Sequence, residues 1–335
     1  MSKKIAARYG IGPMSTETIE AVYRFSNFNR KQLMLIASKN QIDHSGGYVN
    51  GWTTENYVDY TKSLKDKYSN SDILLCRDHC GPGFNGEYDL KDTYKTIEED
   101  IKNSFDLIHI DFCHYKGTYD KKLEESKKAI EFCKKLNEDI LIEIGTDENL
   151  GDNFALNTLS DIDKEIDYFS SFCNPDFFVV QTGSWVMEIN QVGNFNDNFS
   201  REVSSLIHSK GLKFKEHNAD YLTSEEIGKR KGIADAMNIA PQFGVIQTGI
   251  ILNKCLVYGI DYSPWAELVY KGNKWKKWLK DSTSDDKYLC VNIAGHYHFD
   301  TDEYKNIYDQ ISQHEDIKEV IIESLMGVIE HYENS

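Results

Sequence analysis

The feature that most constrains the fold is a series of short apolar runs, each closed by polar or glycine residues, alternating with amphipathic segments. Eight runs occur, beginning near residues 7, 33, 73, 107, 140, 177, 213 and 235. Most are spaced by roughly thirty to forty residues, the length of one strand and helix unit. Such runs are typical of strands in a covered parallel sheet. The pattern predicts an α/β fold, a closed (β/α)8 TIM barrel, with an open doubly wound sheet as the alternative.

The pattern becomes mainly helical beyond Gly249, with helices predicted over 265–279 and 316–332. We therefore expect a barrel over residues 1–250 and a C-terminal, mostly helical cap over residues 251–335 that packs on it. Between the two predicted helices lies His296-Tyr-His298, which we expect to be extended with both imidazoles on one face. The pair either lines a site or lies at a surface edge.

Charge and cysteine usage limit the classes of partner. The 335-residue chain has 38 basic and 54 acidic residues, a net charge of −16, which disfavours nucleic acid and anionic membranes. An anionic substrate would need local positive charge from a metal, backbone N–H groups or nearby lysine and arginine side chains. Seven dispersed cysteines without a C-x-x-C pair predict neither disulfides nor structural zinc. With no apolar leader or membrane-length span, we expect a cytoplasmic protein.

The third apolar run ends in Arg77-Asp78-His79-Cys80-Gly81-Pro82. Polar groups just beyond a parallel strand lie where α/β folds bind ligands. Because Asp78 and His79 are adjacent, we expect their side chains to diverge, so that one binds a metal and the other faces a substrate. Taken alone, the pair is more typical of an N-capping aspartate beside a solvated histidine.

Strand ends supply the remaining candidate residues. His79, His217 and Glu143 come from different strands, and a mixed set of this kind suits Zn²⁺ or a similar divalent ion. His109 lies inside an apolar run and is interpreted as a buried core histidine. No nucleotide-binding glycine motif or G-x-S-x-G elbow occurs. The predicted polar ring comprises Asn40, Asp78, His79, Asp111, Glu143, Asp147, Glu188, His217, Asp220 and Asn238.

Five motifs occur in one order along the chain, at 36–48, 77–82, 108–111, 144–146 and 216–221. In these motifs the chain resembles the class II, metal-dependent ketose-bisphosphate aldolases, most closely the branch of the tagatose-bisphosphate aldolase non-catalytic subunit. The resemblance extends from about residue 5 to 250 and implies a TIM barrel.

The resemblance also implies residue roles. Asp78 matches the residue that moves a hydroxyl proton, and His79, His217 and Glu143 match metal-site positions. Asn40 and Asn238 match positions that hold the dihydroxyacetone phosphate part of the substrate. Asp111 and Asp220 are further candidates for substrate binding, and Asp147 is a candidate for a second proton transfer or for a helix N-cap.

Two departures from the family pattern are present. After the sixth strand, where the family has another histidine ligand, the chain has Ser184-Trp-Val-Met-Glu188. Either Glu188 serves as an oxygen ligand in its place, or the ion is lost. After the seventh strand, Asn218-Ala-Asp220-Tyr221 replaces the Gly-Gly-Ser-Gly phosphate loop of the catalytic aldolases.

Together these observations predict a metal-dependent enzyme, with zinc as the expected ion, that cleaves a ketose or ketose phosphate at C3–C4 through an enediolate. Asp78 would be the general base. One alternative is a sugar 4-epimerase that uses the same retro-aldol chemistry. The other is a non-catalytic subunit that stabilises an aldolase. The expected partners are a sugar or sugar phosphate and either further copies of the chain or an aldolase subunit.

Overall fold

A closed barrel of eight parallel strands forms the body of the protein. The computed structural model describes residues 5–86, 88–146 and 158–335. The barrel order is β1-β2-β3-β4-β5-β6-β9-β10, closed between β10 and β1, which confirms the predicted TIM barrel and excludes the open sheet. Two further strands, β7 and β8, form a separate antiparallel hairpin. The strands are β1 (Tyr9–Ile11), β2 (Gln32–Ser38), β3 (Asp72–Cys80), β4 (Leu107–Ile110), β5 (Leu141–Thr146), β6 (Phe177–Val180), β7 (Val186–Met187), β8 (Asn190–Gln191), β9 (Lys213–Glu216) and β10 (Ala236–Ile239).

Helices of the barrel follow the strands and begin at side-chain caps. In α1 to α7 a hydroxyl, carboxylate or amide oxygen of the N-cap accepts a hydrogen bond from a backbone N–H of the first turn. The short α7 lies where the sequence leaves room for only a small helix. These helices are α1 (Thr16–Asn29), α2 (Thr54–Lys67), α3 (Leu90–Lys102), α4 (Tyr119–Leu136), α5 (Leu159–Ser170), α6 (Asp197–Ser209) and α7 (Ser224–Arg230).

The C-terminal region is helical. Its first helix, α8, passes through residue 250 without a break, so one helix joins barrel and cap. The helix predicted over 265–279 is two elements, because the chain turns at Gly272 and Asn273, whose φ is 56°. The elements are α8 (Pro241–Tyr258), α9 (Ser263–Lys271), a 3-10 helix (Lys274–Trp278), α10 (Lys287–Ala294), a second 3-10 helix (Gly295–His298), α11 (Asp302–Ser312) and α12 (Ile317–Asn334).

Apolar packing and a few buried polar contacts hold these layers together. A small cluster that includes Met34, Leu74 and Phe177 fills the barrel interior, and a larger one joins the strands, the outer helices and the cap. The hydroxyl of Tyr332 in α12 donates to the carbonyl of Ala219, 2.7 Å away, which fastens the last helix beside the carboxyl end of β9. None of the described helices is both long and apolar enough to cross a membrane.

Candidate active site

Four side chains converge at the carboxyl ends of neighbouring barrel strands. Asp78 and His79 end β3, His109 lies on β4, and His217 follows β9. One ligand atom from each lies within 4.8 Å of the others. The structure therefore brings three of the predicted residues together and adds a histidine that the sequence analysis assigned to the core.

The end of β3 is irregular, and this irregularity aims two consecutive side chains at one point. His79 has a φ of 47°, and the β3–β4 register shifts between Arg77 and Cys80. The Nε2 atom of His79 lies 3.9 Å from Oδ2 of Asp78. The expectation that the two side chains diverge was wrong, because a left-handed residue breaks the alternation of an extended strand.

A carboxylate behind the cluster fixes the orientation of His79. Oδ2 of Asp111 lies 2.9 Å from Nδ1 of His79, and the same carboxylate accepts hydrogen bonds from the Thr146 hydroxyl and the Cys113 backbone N–H. Burial opposes ionisation, but His79 and His109 hold the pKa of the Asp111 carboxyl below its usual range. Asp111 was predicted to bind substrate; the structure instead places it, buried, as the partner that turns Nε2 of His79 towards Asp78.

Glu143 fixes the orientation of His217, as Asp111 does that of His79. Its Oε1 lies 3.0 Å from Nε2 of His217, and its Oε2 accepts a hydrogen bond from the Lys215 ammonium at 2.6 Å. Burial opposes ionisation, but Lys215 and the two nearby imidazoles lower the pKa of Glu143 to about 2. Both oxygens of this fully buried carboxylate are thus engaged, so Glu143 orients His217 instead of offering the metal ligand expected from the sequence.

His109 is buried with both ring nitrogens engaged, as the sequence predicted, and its ring also faces the cluster. Its Nε2 lies 3.0 Å from the carbonyl of Gly145, so that nitrogen carries the proton, and its Nδ1 accepts from the backbone N–H of His79. Nδ1 also lies 3.7 Å from Oδ1 of Asp78. The available signal was strand alternation, because His109 shares the inward face of β4 with Leu107 and not the outward face.

Asp78 lies at the centre of the cluster and is partly open to solvent. Burial would favour its neutral form, but the imidazoles of His79, His217 and His109 hold its pKa far below the usual range. The side-chain amide of Asn238 lies 3.4 Å from Oδ1 of Asp78. Oδ1 of Asn238 is buried and has no hydrogen-bond partner among the described residues, so it can accept a bond from a ligand hydroxyl.

Glu188 lies elsewhere, in the turn between β7 and β8. Its carboxylate accepts hydrogen bonds from the Thr283 hydroxyl at 2.5 Å and the Lys280 backbone N–H at 3.0 Å, and its own N–H donates to the carbonyl of Trp278. Glu188 thus fastens the hairpin to the cap and is not among the side chains of the cluster. The expectation that Glu188 serves as an oxygen ligand of the ion was therefore wrong.

A polar network surrounds Ser184, which follows the sixth barrel strand where the resemblance implies a further histidine. Glu216 accepts hydrogen bonds from Thr182, Ser184 and Arg230, and Arg230 also donates to the Ser184 hydroxyl. All four side chains are buried. This part of the barrel mouth is therefore a satisfied structural network.

The other predicted residues have separate positions. Asp220, a proposed substrate ligand, is buried, and its Oδ1 caps α8 by accepting from the N–H groups of Ala240 and Gln242. Burial raises its pKa to about 7. Asn40 lines the cavity at the cluster and donates to the carbonyl of Phe84. Asp147 lies outside the described residues.

A cavity of about 620 Å³ leads from the cluster to the cap, a size typical of small-molecule sites. Asp78, His79 and Asn40 line one end, and residues of both 3-10 helices line the other. His296 and His298 therefore line the site. The extended conformation expected for them was wrong, because the chain continues from α10 as a 3-10 helix.

The donor set fits a divalent metal ion. Two of the imidazoles bond a carboxylate through one nitrogen and one bonds a backbone carbonyl, the outer support that metal-binding histidines usually have. The second nitrogen of each lies within 4 Å of Asp78. That of His109 accepts the backbone N–H of His79, a bond that it would exchange for the ion. Among the described residues one further group has suitable donors, Asp43, His44 and Asp92, but there Lys39 already pairs with Asp92 and opposes a cation.

The fold and the site together define a (β/α)8 barrel protein with a histidine and aspartate centre of metal-ligand type. No protein-family model matches the chain. Over 99 residues, 28% of this chain, it is 26% identical to D-tagatose-1,6-bisphosphate aldolase subunit GatZ of Escherichia coli K12. The match spans only about a quarter, 23%, of the length of that relative.

Solved structures share the fold over nearly the whole chain. A probable tagatose 6 phosphate kinase from Sinorhizobium meliloti superposes with a TM-score of 0.77 at 14% identity, covering 97% of this chain and 99% of that one. Fructose-bisphosphate aldolase from Campylobacter jejuni gives 0.64 at 14% identity, covering 98% and 90%. The YdjI aldolase from Escherichia coli K12 gives 0.54 at 11% identity, covering 92% and 90%. These likenesses show the fold, and the sequence similarity to GatZ is confined to 99 residues.

Proposed function

We propose that the protein is a metal-dependent lyase of the class II aldolase type, which cleaves or forms the C3–C4 bond of a ketose or ketose phosphate. The observation that carries the proposal is the convergence of His79, His109 and His217 on Asp78 at the mouth of the barrel. Active sites of TIM barrel enzymes lie at this face.

The three imidazoles are the proposed ligands of a divalent ion, with zinc the best match to an all-histidine set. Three protein ligands with one position left open are the usual arrangement of a catalytic zinc site. When bound there, the ion would polarise the ketone carbonyl of the substrate. Asp111 and Glu143 hold two of the rings in place before the ion arrives.

Asp78 is the proposed proton acceptor. The surrounding imidazoles keep it ionised, which is the state that accepts a proton from the C4 hydroxyl as the C3–C4 bond breaks. Asn238 steadies its Oδ1 and turns its own Oδ1 to the site. Asn40, which also lines the cavity, is proposed to bind a hydroxyl of the ketose.

Metal analysis combined with product analysis tests this proposal. We expect the purified chain to bind one equivalent of Zn²⁺ and to release a triose fragment from a ketose phosphate. His79→Ala should abolish turnover with little change in melting temperature of the metal-free protein, because His79 lies at a strand end. A fully folded wild-type chain that binds no divalent ion and stays inactive after metal addition would overturn the proposal.

A 4-epimerase is the second candidate, and the cap provides its support. Residues of both 3-10 helices line the cavity opposite the cluster, where they could retain a cleaved fragment for re-addition to the other carbonyl face. An epimerase would return one ketose epimer and no triose.

A role as an aldolase subunit, supported by the GatZ match, instead predicts no turnover by the chain alone and activity gained by an added aldolase.

A further inference from the structure

The 3-10 helix Lys274–Trp278 brings three lysines to the cavity that also contains Asp78 and His79. Lys274, Lys276 and Lys277 line its cap end. The Lys277 ammonium lies 4.7 Å from the ring centre of Trp278 and 5.4 Å from that of Tyr297, so its side chain rests on aromatic faces.

These three ammonium groups differ from their neighbours in having no carboxylate partner within the described part of the chain. Lys271 and Lys287 both pair with Glu267, and Lys280 lies 3.9 Å from Glu188. The chain as a whole has a net charge of −16, so this cluster of three lysines is opposite in sign to the overall charge. Positive potential is thus concentrated at one end of the cavity.

His296 supplies an independent observation at the same place. Its side chain lines the cavity and is almost wholly buried, yet neither ring nitrogen has a hydrogen-bond partner among the described residues. Nε2 of His298 is also without one. A Cβ on Gly244 of α8 would lie 2.6 Å from the Cβ of His296, so this glycine permits the close approach that buries the ring.

Buried polar atoms without partners are costly, and at binding sites a ligand can satisfy them. Burial, and next the charge of Lys277, lower the pKa of His296 to about 3, so the ring is neutral and has one N–H to donate. Three ammonium groups and one imidazole N–H supply donors, against a single acceptor, the other ring nitrogen of neutral His296. Such a set matches an oxyanion.

We propose that Lys274, Lys276, Lys277 and His296 form the subsite for a terminal oxyanion of the substrate, a phosphate or a carboxylate. The reacting carbons would then lie at the other end of the cavity, against Asp78 and His79. That the oxyanion belongs to a sugar rests on the proposed function. The subsite gives the cap the charge recognition that the loop after β9, without the Gly-Gly-Ser-Gly sequence, does not supply.

Binding of inorganic phosphate to the full-length protein tests the subsite without turnover. We expect wild type to bind phosphate at low ionic strength by calorimetry, and the Lys276→Met/Lys277→Met variant to bind about tenfold more weakly. The matched control is Lys135→Met/Lys305→Met, two exposed lysines of α4 and α11 without a carboxylate partner among the described residues, which change the net charge equally. Both double variants alter exposed side chains, so the fold should be kept, as circular dichroism would verify.

Acetate serves as the second probe and identifies the source of the oxyanion. Tighter binding of phosphate than of acetate indicates a sugar phosphate, and comparable binding indicates a sugar acid. In labelled protein, the His296 ring resonances, assigned by their loss in His296→Gln, should shift as either anion is added. The inference is overturned when wild type binds neither anion, or when the Lys276/Lys277 and control variants bind alike. A wild-type protein that binds phosphate but has no lyase activity would instead count against the proposed function.

Discussion

Oδ2 of Asp111 and Nδ1 of His79 lie 2.9 Å apart, and this contact turns the other nitrogen of His79 towards Asp78. Because Asp111 is also bound by Thr146 and by the Cys113 backbone, its carboxylate cannot rotate away when the ring changes partner. The orientation of His79 is therefore built into the protein before any ion binds.

Asp111→Asn should weaken metal binding without unfolding the protein. The neutral amide is a poorer acceptor for the imidazole N–H, and loss of such an outer partner typically costs about 10- to 100-fold in metal affinity. Competition with a chromophoric chelator measures the zinc affinity. Asp120→Asn, in the exposed first turn of α4, is the control. Equal affinities in the two variants would contradict the role given to Asp111.

His109→Gln tests the proposed ligand that the sequence analysis did not include in its metal site. We expect less than one equivalent of bound zinc and a fall in turnover of about 100-fold or more, because a zinc ligand has been lost. His208→Gln, which removes a partly exposed imidazole paired with Asp235, should leave both unchanged. A His109→Gln protein that retains full zinc occupancy would show that two histidines and Asp78 suffice.

The barrel could be predicted from sequence because each apolar run is a local property of the chain. Asp78, His79 and His217 were found by the rule that functional groups follow strands. That rule failed for His109, which lies within β4, and only the inward direction of its side chain, shared with Leu107, distinguishes it from a core residue. The sequence analysis also assumed an extended chain at His79. The left-handed conformation there instead brings the side chains of Asp78 and His79 to the same side.

The contribution of the cap could not be predicted for a different reason. Whether Lys277 or His296 faces the barrel mouth depends on how α8, α9 and α10 pack, which involves contacts between segments distant in sequence. Glu188 was misassigned for the same reason, since Thr283 and Lys280, nearly a hundred residues away, determine where its carboxylate points.

Asp220 should make stability depend on pH. Burial raises its folded-state pKa to about 7, above an unfolded value near 3.9, so the folded state binds the proton more tightly. The stability that this gives is present below about pH 4 and is lost as the pH rises through about 7. Asp220→Asn keeps the oxygen that caps α8 but cannot ionise.

The difference in unfolding free energy between Asp220→Asn and wild type should therefore shift in favour of the variant from pH 4 to pH 8, by up to about 4 kcal/mol. Urea unfolding of both proteins in chelator, across this range, measures the shift. The amide can impose a constant cost on the variant, so the trend with pH is the test. A difference that stays constant over the range would show that Asp220 is ionised in the folded protein throughout.

Glu188→Gln separates a role in the cap from a role as metal ligand. The amide cannot compensate the charge of Lys280 and is a weaker acceptor for Thr283, so we expect a loss of about 1 kcal/mol in stability. Zinc affinity should stay within about twofold of wild type, whereas His217→Gln should lose the ion. The backbone N–H of Glu188 also donates to the carbonyl of Trp278, and the substitution leaves this bond intact. The 3-10 helix Lys274–Trp278 should therefore keep its position. Loss of zinc in Glu188→Gln to the same extent as in His217→Gln would restore Glu188 to the ligand set.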